Sequence, residues 1–125
     1  MEFDDINSAI IEEAISIHKD LGPGLLESVY EFALMKELTL RKIPVGHQVQ
    51  LPLPYKGSDT GKSFFIDLLI DKEIIVEIKA VESLLPVHDA QLLSYLMLTN
   101  KRLGFLINFN VVLLKHGFRR KVNDY

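Results

Sequence analysis

The sequence predicts an α/β fold, a mixed central sheet flanked by helices. Apolar residues recur at helical spacing over roughly 6–20, and helix-forming composition and a leading proline mark two further helices, roughly 25–41 and 86–100. Between and after them lie short runs of strand character, and two of these runs, 63–70 and 74–81, are apolar on both faces, as in a sheet covered on both sides. The resulting order, α-α-β-β-β-α-β-β, in 125 residues fits one compact domain spanning 1–125.

The first helix carries Ile10, Ala14, Ile17 and Leu21 on one stripe, with Asp4 or Asp5 as its expected cap and Gly22-Pro23 as its stop. Gly24 extends the break. The second helix, rich in Leu, Glu, Lys and Met, ends near Lys42-Ile43-Pro44. His47–Tyr55 alternates, with Val49, Leu51, Leu53 and Tyr55 on one side. Pro52 and Pro54 donate no ladder bonds and mark it as an edge strand. Lys56–Lys62 is a polar turn; its Gly61-Lys62-Ser63 lacks the upstream glycine of a phosphate loop. Pro86 opens the third helix at a position where proline is tolerated. Gly104–Phe109, Val111–Lys115 and Phe118–Val122 read as the last strands.

Composition narrows the function classes. Hydrophobic residues make up 48% of the chain, no run approaches the roughly 20 apolar residues of a membrane helix, and the acidic start Met1-Glu-Phe-Asp-Asp5 is unlike a signal peptide. The cytoplasm, with no membrane partner, is the expected location. Cysteine is absent, which removes disulfides, thiolate chemistry and cysteine-based zinc sites. A net charge of −3 argues against tight, sequence-blind duplex binding, although acidic metal ligands would themselves lower the count. Lys115, His116, Arg119, Arg120 and Lys121 crowd the C-terminal end, either as a solvated tail or as a phosphate-facing patch.

The chemistry-bearing feature is a set of charges inside the oily strand pair: Asp67, Glu77 and Lys79. Charges rarely enter a buried strand unless they are paired or bind a metal. Glu77 and Lys79, two apart, point to one face. A three-residue connection Asp71-Lys72-Glu73 would pair Ile70 with Ile74 and so set Asp67 opposite Glu77. A two-residue turn would oppose Asp67 to Val76 and separate the acids. In the first register the carboxylates can hold Mg²⁺ or Mn²⁺ on a phosphate ester, with Lys79 beside them to orient water or stabilise developing charge. The same spacing also suits a plain ion pair of Lys79 with Glu77 or Asp67 on a solvated sheet face. Glu27 and Tyr30 share a face of the second helix, and Gln91 and Tyr95 stand one turn apart on the third. Each of these pairs alone also suits a dipole contact or half-buried packing.

Together, Asp67, Glu77-Ile-Lys79 and Gln91-x3-Tyr95 resemble the PD-(D/E)xK nuclease superfamily, in particular its RecB-like branch. The whole chain, over roughly 6–123, resembles the GxxExxY proteins: Gly24, Glu27 and Tyr30 form the name motif, followed in order by Leu51-Pro-Leu-Pro-Tyr55-Lys-Gly57, Asp67-Leu-Leu-Ile, Val76-Glu-Ile-Lys-Ala-Val81, Ala90-Gln-Leu-Leu-Ser-Tyr-Leu96 and Leu106-Ile-Asn-Phe109. Asn110 departs from the family's usual glycine, and asparagine tolerates left-handed backbone. The resemblance implies a restriction-endonuclease-like core, a metal held by Glu27, Asp67 and Glu77, and a catalytic Lys79 acting with Asp67 and Glu77. It also implies that Gln91, Tyr95 and Tyr30 contact the substrate. The implied activity is Mg²⁺-dependent (or Mn²⁺-dependent) nuclease action on nucleic acid, DNA ahead of RNA, with a homodimer left open. The alternative is an inactive nucleic-acid- or protein-binding module on the same scaffold. His88 reads as a helix-start histidine, and His18, His47 and His116 show no ligand spacing.

Overall fold

A computed structural model describes residues 2–124. Its elements are α1 (Phe3–Leu21), α2 (Glu27–Leu40), β1 (Val45–Tyr55), β2 (Ser58–Ile70), β3 (Ile74–Lys79), α3 (Pro86–Thr99), β4 (Leu103–Asn108), a short 3-10 turn (Leu114–His116) and β5 (Phe118–Val122). The strands form one mixed sheet in chain order, β1-β2-β3-β4-β5, with β3 and β4 parallel and the other neighbours antiparallel. The parallel pair needs a crossover, and α3 supplies it.

Each face of the sheet has its own core. On one face the stripe Ile6, Ala9, Ile10, Ala14 and Ile17 of α1 joins Leu34 and Leu38 of α2 over Leu68, Ile70, Val76, Ile78, Phe105 and Ile107. On the other, Leu92 and Leu96 of α3 cover Phe64, Ile66, Ile75 and Leu106. Coverage on both faces explains why β3 and β4 are buried almost throughout and read as continuous apolar runs. Asp4 and Asp5 do not cap α1. The helix begins at Phe3, so both acids lie in its first turn, where they oppose the helix dipole. Gly22 (φ 70) ends it in the left-handed region, as the Gly-Pro stop implied.

The hairpin between β2 and β3 has the register the three-residue connection demands. Ile70 pairs with Ile74, Leu69 with Ile75 and Leu68 with Val76, and Asp71 and Lys72 turn the chain with positive φ while the Glu73 amide donates to the Ile70 carbonyl. β1 lies at the sheet edge, as Pro52 and Pro54 require, and its ladder shifts register between those prolines.

One expected strand is absent. Residues 111–115 bend and close a 3-10 turn instead of extending. The chain must reverse here to lay β5 antiparallel on β4, and the Val111 carbonyl is taken by the His18 ring at 2.7 Å rather than by a ladder partner. The reversal packs Gly117 against Asn108, whose amide donates to the Gly117 carbonyl at 2.8 Å. A Cβ at Gly117 would stand 2.1 Å from the Asn108 carbonyl oxygen. Gly117→Ala is therefore expected to destabilise the fold by about 1–3 kcal/mol, the usual cost of overpacking, read as a lower midpoint in urea unfolding.

Candidate active site

The site is built where β2 leaves its ladder. The ladder with β3 ends at the Leu68–Val76 rung, and one step further Asp67 comes opposite Glu77. There the Asp67 side chain replaces the backbone partner: its Oδ2 accepts the Ile78 amide at 2.8 Å, while Glu77 Oε2 lies 3.4 Å from the Asp67 amide. β1 and β2 kink together at this level. Leu68 packs in the core under α1, whereas Ile66, two residues away, packs under α3, so the strict inside–outside alternation breaks at Asp67. Opposite it, Gln48 adopts φ 50, and the neighbouring rungs His47–Leu68 and Val49–Ile66 keep their register.

Glu77 is 4% exposed, and its Oε1 is buried with no hydrogen-bond partner. Burial, then the adjacent Asp67 carboxylate, pushes its pKa up to about 10, against a smaller pull downward from Lys79. Lys79 shares Glu77's face through the two-residue strand period and stays half-exposed. Among the described residues it forms no ion pair within 4 Å, which sets aside the plain ion-pair reading. Tyr95 leans over the pair from α3, its ring stacked on Phe64 at 4.7 Å. Burial, and after it the charges of Glu77 and Asp67, raises its pKa.

The other expected site residues sit differently. Glu27, at the start of α2, accepts the Ala80 amide at 3.3 Å, just beyond the end of β3. Among the described residues no group of three or more His, Asp or Glu side chains is arranged to hold a metal, so Glu27 is not drawn into one cluster with Asp67 and Glu77. Gln91 is exposed on α3, one turn before Tyr95. Tyr30 is a correction. It is fully buried, stacked on Phe109 at 4.5 Å, and its hydroxyl donates to the Gly22 carbonyl and accepts the Leu25 amide. It ties the Gly-Pro break to the core, and a substrate has no path to it. His88 caps its own helix, its Nδ1 accepting the Leu85 amide.

Three residues beside the site carried no role in the sequence. Glu31 is buried one turn after Glu27, and its Oε1 accepts from His47 Nε2 at 2.7 Å and Gln48 Nε2 at 2.6 Å. Gln48 also donates to Asp67 Oδ1 at 3.1 Å, so one amide spans two carboxylates. Burial raises the Glu31 pKa; the Gln48 bond opposes the rise, and the Asp67 charge adds to it. Buried Asn108, beside Lys79 in the parallel ladder, accepts from the Val81 and Asn110 amides and donates to the Val81 carbonyl. It fastens the chain leaving Lys79. The helical spacing Glu27–Glu31 was a usable signal for Glu31; nothing local marked Gln48.

A model of the PD-(D/E)XK nuclease superfamily matches residues 4–121. The chain belongs to that superfamily. Comparison with curated proteins and with solved structures gave no match. Superfamily members generally use divalent metal ions, and nucleic acid is the substrate class the superfamily implies. The residues present fit such an ion in one respect the structure shows directly. Glu77 Oε1 is a buried, unpartnered oxygen beside a second carboxylate, and a hard cation satisfies both.

Two outcomes follow. Because the folded pKa of Glu77 lies above its unfolded value of 4.5, the fold holds a proton that the unfolded chain releases. In chelator, the Glu77 contribution to stability is therefore full below about pH 4.5 and is lost as pH rises toward about 10. Thermal melts across pH 5–9 are expected to show this decline, and Glu77→Gln is expected to flatten it. Gln48→Ala, which strips one donor from Glu31 and Asp67, is expected to cost roughly 1–3 kcal/mol in chemical unfolding.

Proposed function

We propose that this protein is a metal-dependent phosphodiesterase acting on nucleic acid, DNA ahead of RNA, of the GxxExxY type within the RecB-like branch. The observation that carries the reading is the buried Glu77 carboxyl, one oxygen unpartnered, set against Asp67. Asp67 and Glu77 are the proposed ligands of Mg²⁺ or Mn²⁺, with Glu27, at the start of α2, held against the Ala80 amide just beyond β3. Bound there, the ion supplies Lewis-acid polarisation of the phosphate and of water.

The remaining steps belong to the chain. Binding requires Glu77 to release its proton, which couples affinity to pH. Asp67 is held by the Ile78 amide and the Gln48 side chain, so its carboxylate is fixed before substrate arrives. Lys79, with no ion pair among the described residues, places its ammonium against a phosphate oxygen and offsets the charge that builds in an in-line displacement. Tyr95, with its hydroxyl kept protonated, donates to the substrate phosphate, and Gln91 extends that contact along α3.

The rival reading is a binding module that has lost hydrolysis. It is favoured by the placement of Glu27 against Ala80 rather than in a three-acid cluster. Single- and double-stranded DNA and RNA, incubated with the protein and Mg²⁺ or Mn²⁺, separate the two. Cleavage is expected in the wild type and a loss of about a hundredfold or more in Lys79→Ala and Asp67→Asn, the scale for removing one preorganised electrostatic group. Equal rates in wild type and both variants would sink the hydrolytic reading.

A further inference from the structure

The strongest unassigned feature lies at the other end of the sheet. A cleft of about 520 Å³ opens where α1 begins and β3 and β4 start, lined by Phe3, Glu73, Lys101, Arg102, Arg120 and Val122 among others. That volume lies within the range of small-ligand sites. Among the described residues three cations face it and Glu73 is the one acid in its lining, in a chain whose net charge is −3.

The alternation of β5 sorts its cations. Arg119 and Lys121 point to the α3 side and are consumed by Asp89, at 2.5 and 2.8 Å. Arg120, between them, is paired across the ladder with Phe105 of the α1-side core and turns into the cleft. Arg41, elsewhere, is likewise held by Glu12 and Glu13. Lys101, Arg102 and Arg120 have no ion pair among the described residues. The backbone beneath them is fixed, since Asn123 donates its amide to the Arg102 carbonyl and its side-chain nitrogen to the Lys101 carbonyl. The Phe3 ring, 41% exposed at the first position of α1, gives the cleft an aromatic wall.

We propose that this cleft is a second nucleic-acid contact, binding a single strand with its phosphates on Lys101, Arg102 and Arg120 and a base against Phe3. Unpaired cations that track a backbone beside an aromatic face are the recurrent means of holding a single strand without reading its sequence. The Ile74–Leu103 rung lies at the cleft and the Lys79–Asn108 rung at the carboxylates, five residues apart along the parallel pair, or roughly 17 Å. The cleft thus shares no residue with the proposed hydrolytic site. It shares with the proposed function only the class of partner, and holds a strand whether or not the carboxylates cut it.

Binding of a fluorescein-labelled oligothymidylate of about twelve nucleotides, measured by anisotropy in EDTA over a range of salt, tests it without turnover. The Arg102→Gln/Arg120→Gln double variant is expected to lose about tenfold in affinity or more, and its slope of log K on log salt to fall by about 1.4. Phe3→Ala is expected to lose about fivefold or more. Lys115→Gln, whose charge lies outside the cleft, is expected to bind like wild type. Unchanged affinity in the double variant, or an equal loss in Lys115→Gln, overturns the proposal, and matching thermal melts show that each variant is folded. Cleft-dependent binding with no cleavage in Mg²⁺ or Mn²⁺ would sustain this inference while the hydrolytic reading fails. Cleavage together with wild-type binding by the double variant would do the reverse.

Discussion

The structure depends on two carboxyl groups forced together inside a sheet. Asp67 and Glu77 face one another where β2 departs from its ladder, and burial beside a second carboxylate favours the protonated form of Glu77. Much of the surrounding fold serves that juxtaposition. The tight turn at Asp71–Glu73 fixes the register, the Ile78 amide orients one acid, and the two-sided core of β3 excludes water from the other. A protein assembled for stability alone would place apolar residues there, as its neighbours Ile75 and Leu106 show.

Around this pair the helices divide the work. α2 brings Glu27 and Glu31 to the same side, one against the end of β3 and one into the His47–Gln48 network, so its first two turns frame the acids from the α1 side. α3 brings Tyr95 from the opposite layer. Asn108 then closes the base by anchoring residue 81 to β4. The site is thus stitched from both layers and from four strands.

Most of the scaffold was legible because its causes are local or periodic. The stripe of α1, the proline-marked edge and the doubly buried strands follow from hydrophobic period and ladder chemistry. The Asp67–Glu77 meeting was legible because loop parity alone decides it. What escaped depends on relations between distant segments. Tyr30 shares its helix face with a candidate ligand, yet the Phe109 ring and the Gly22 carbonyl draw it inward. Residues 111–115 have strand composition, but the need to turn back onto β4 overrides it. Gln48 lies in an alternating strand, and only the shared kink of β1 and β2 explains its left-handed backbone and its grip on two acids.

The edge position of β1 has a consequence for how anything docks there. An unprotected outer strand invites another chain to extend the sheet by backbone pairing, the route to aggregation and to strand addition. Pro52 and Pro54 lack the amide hydrogens this requires, and the register break between them disrupts the repeat. Over that stretch of the margin contacts fall to side chains, and accidental templating by sticky peptides is disfavoured.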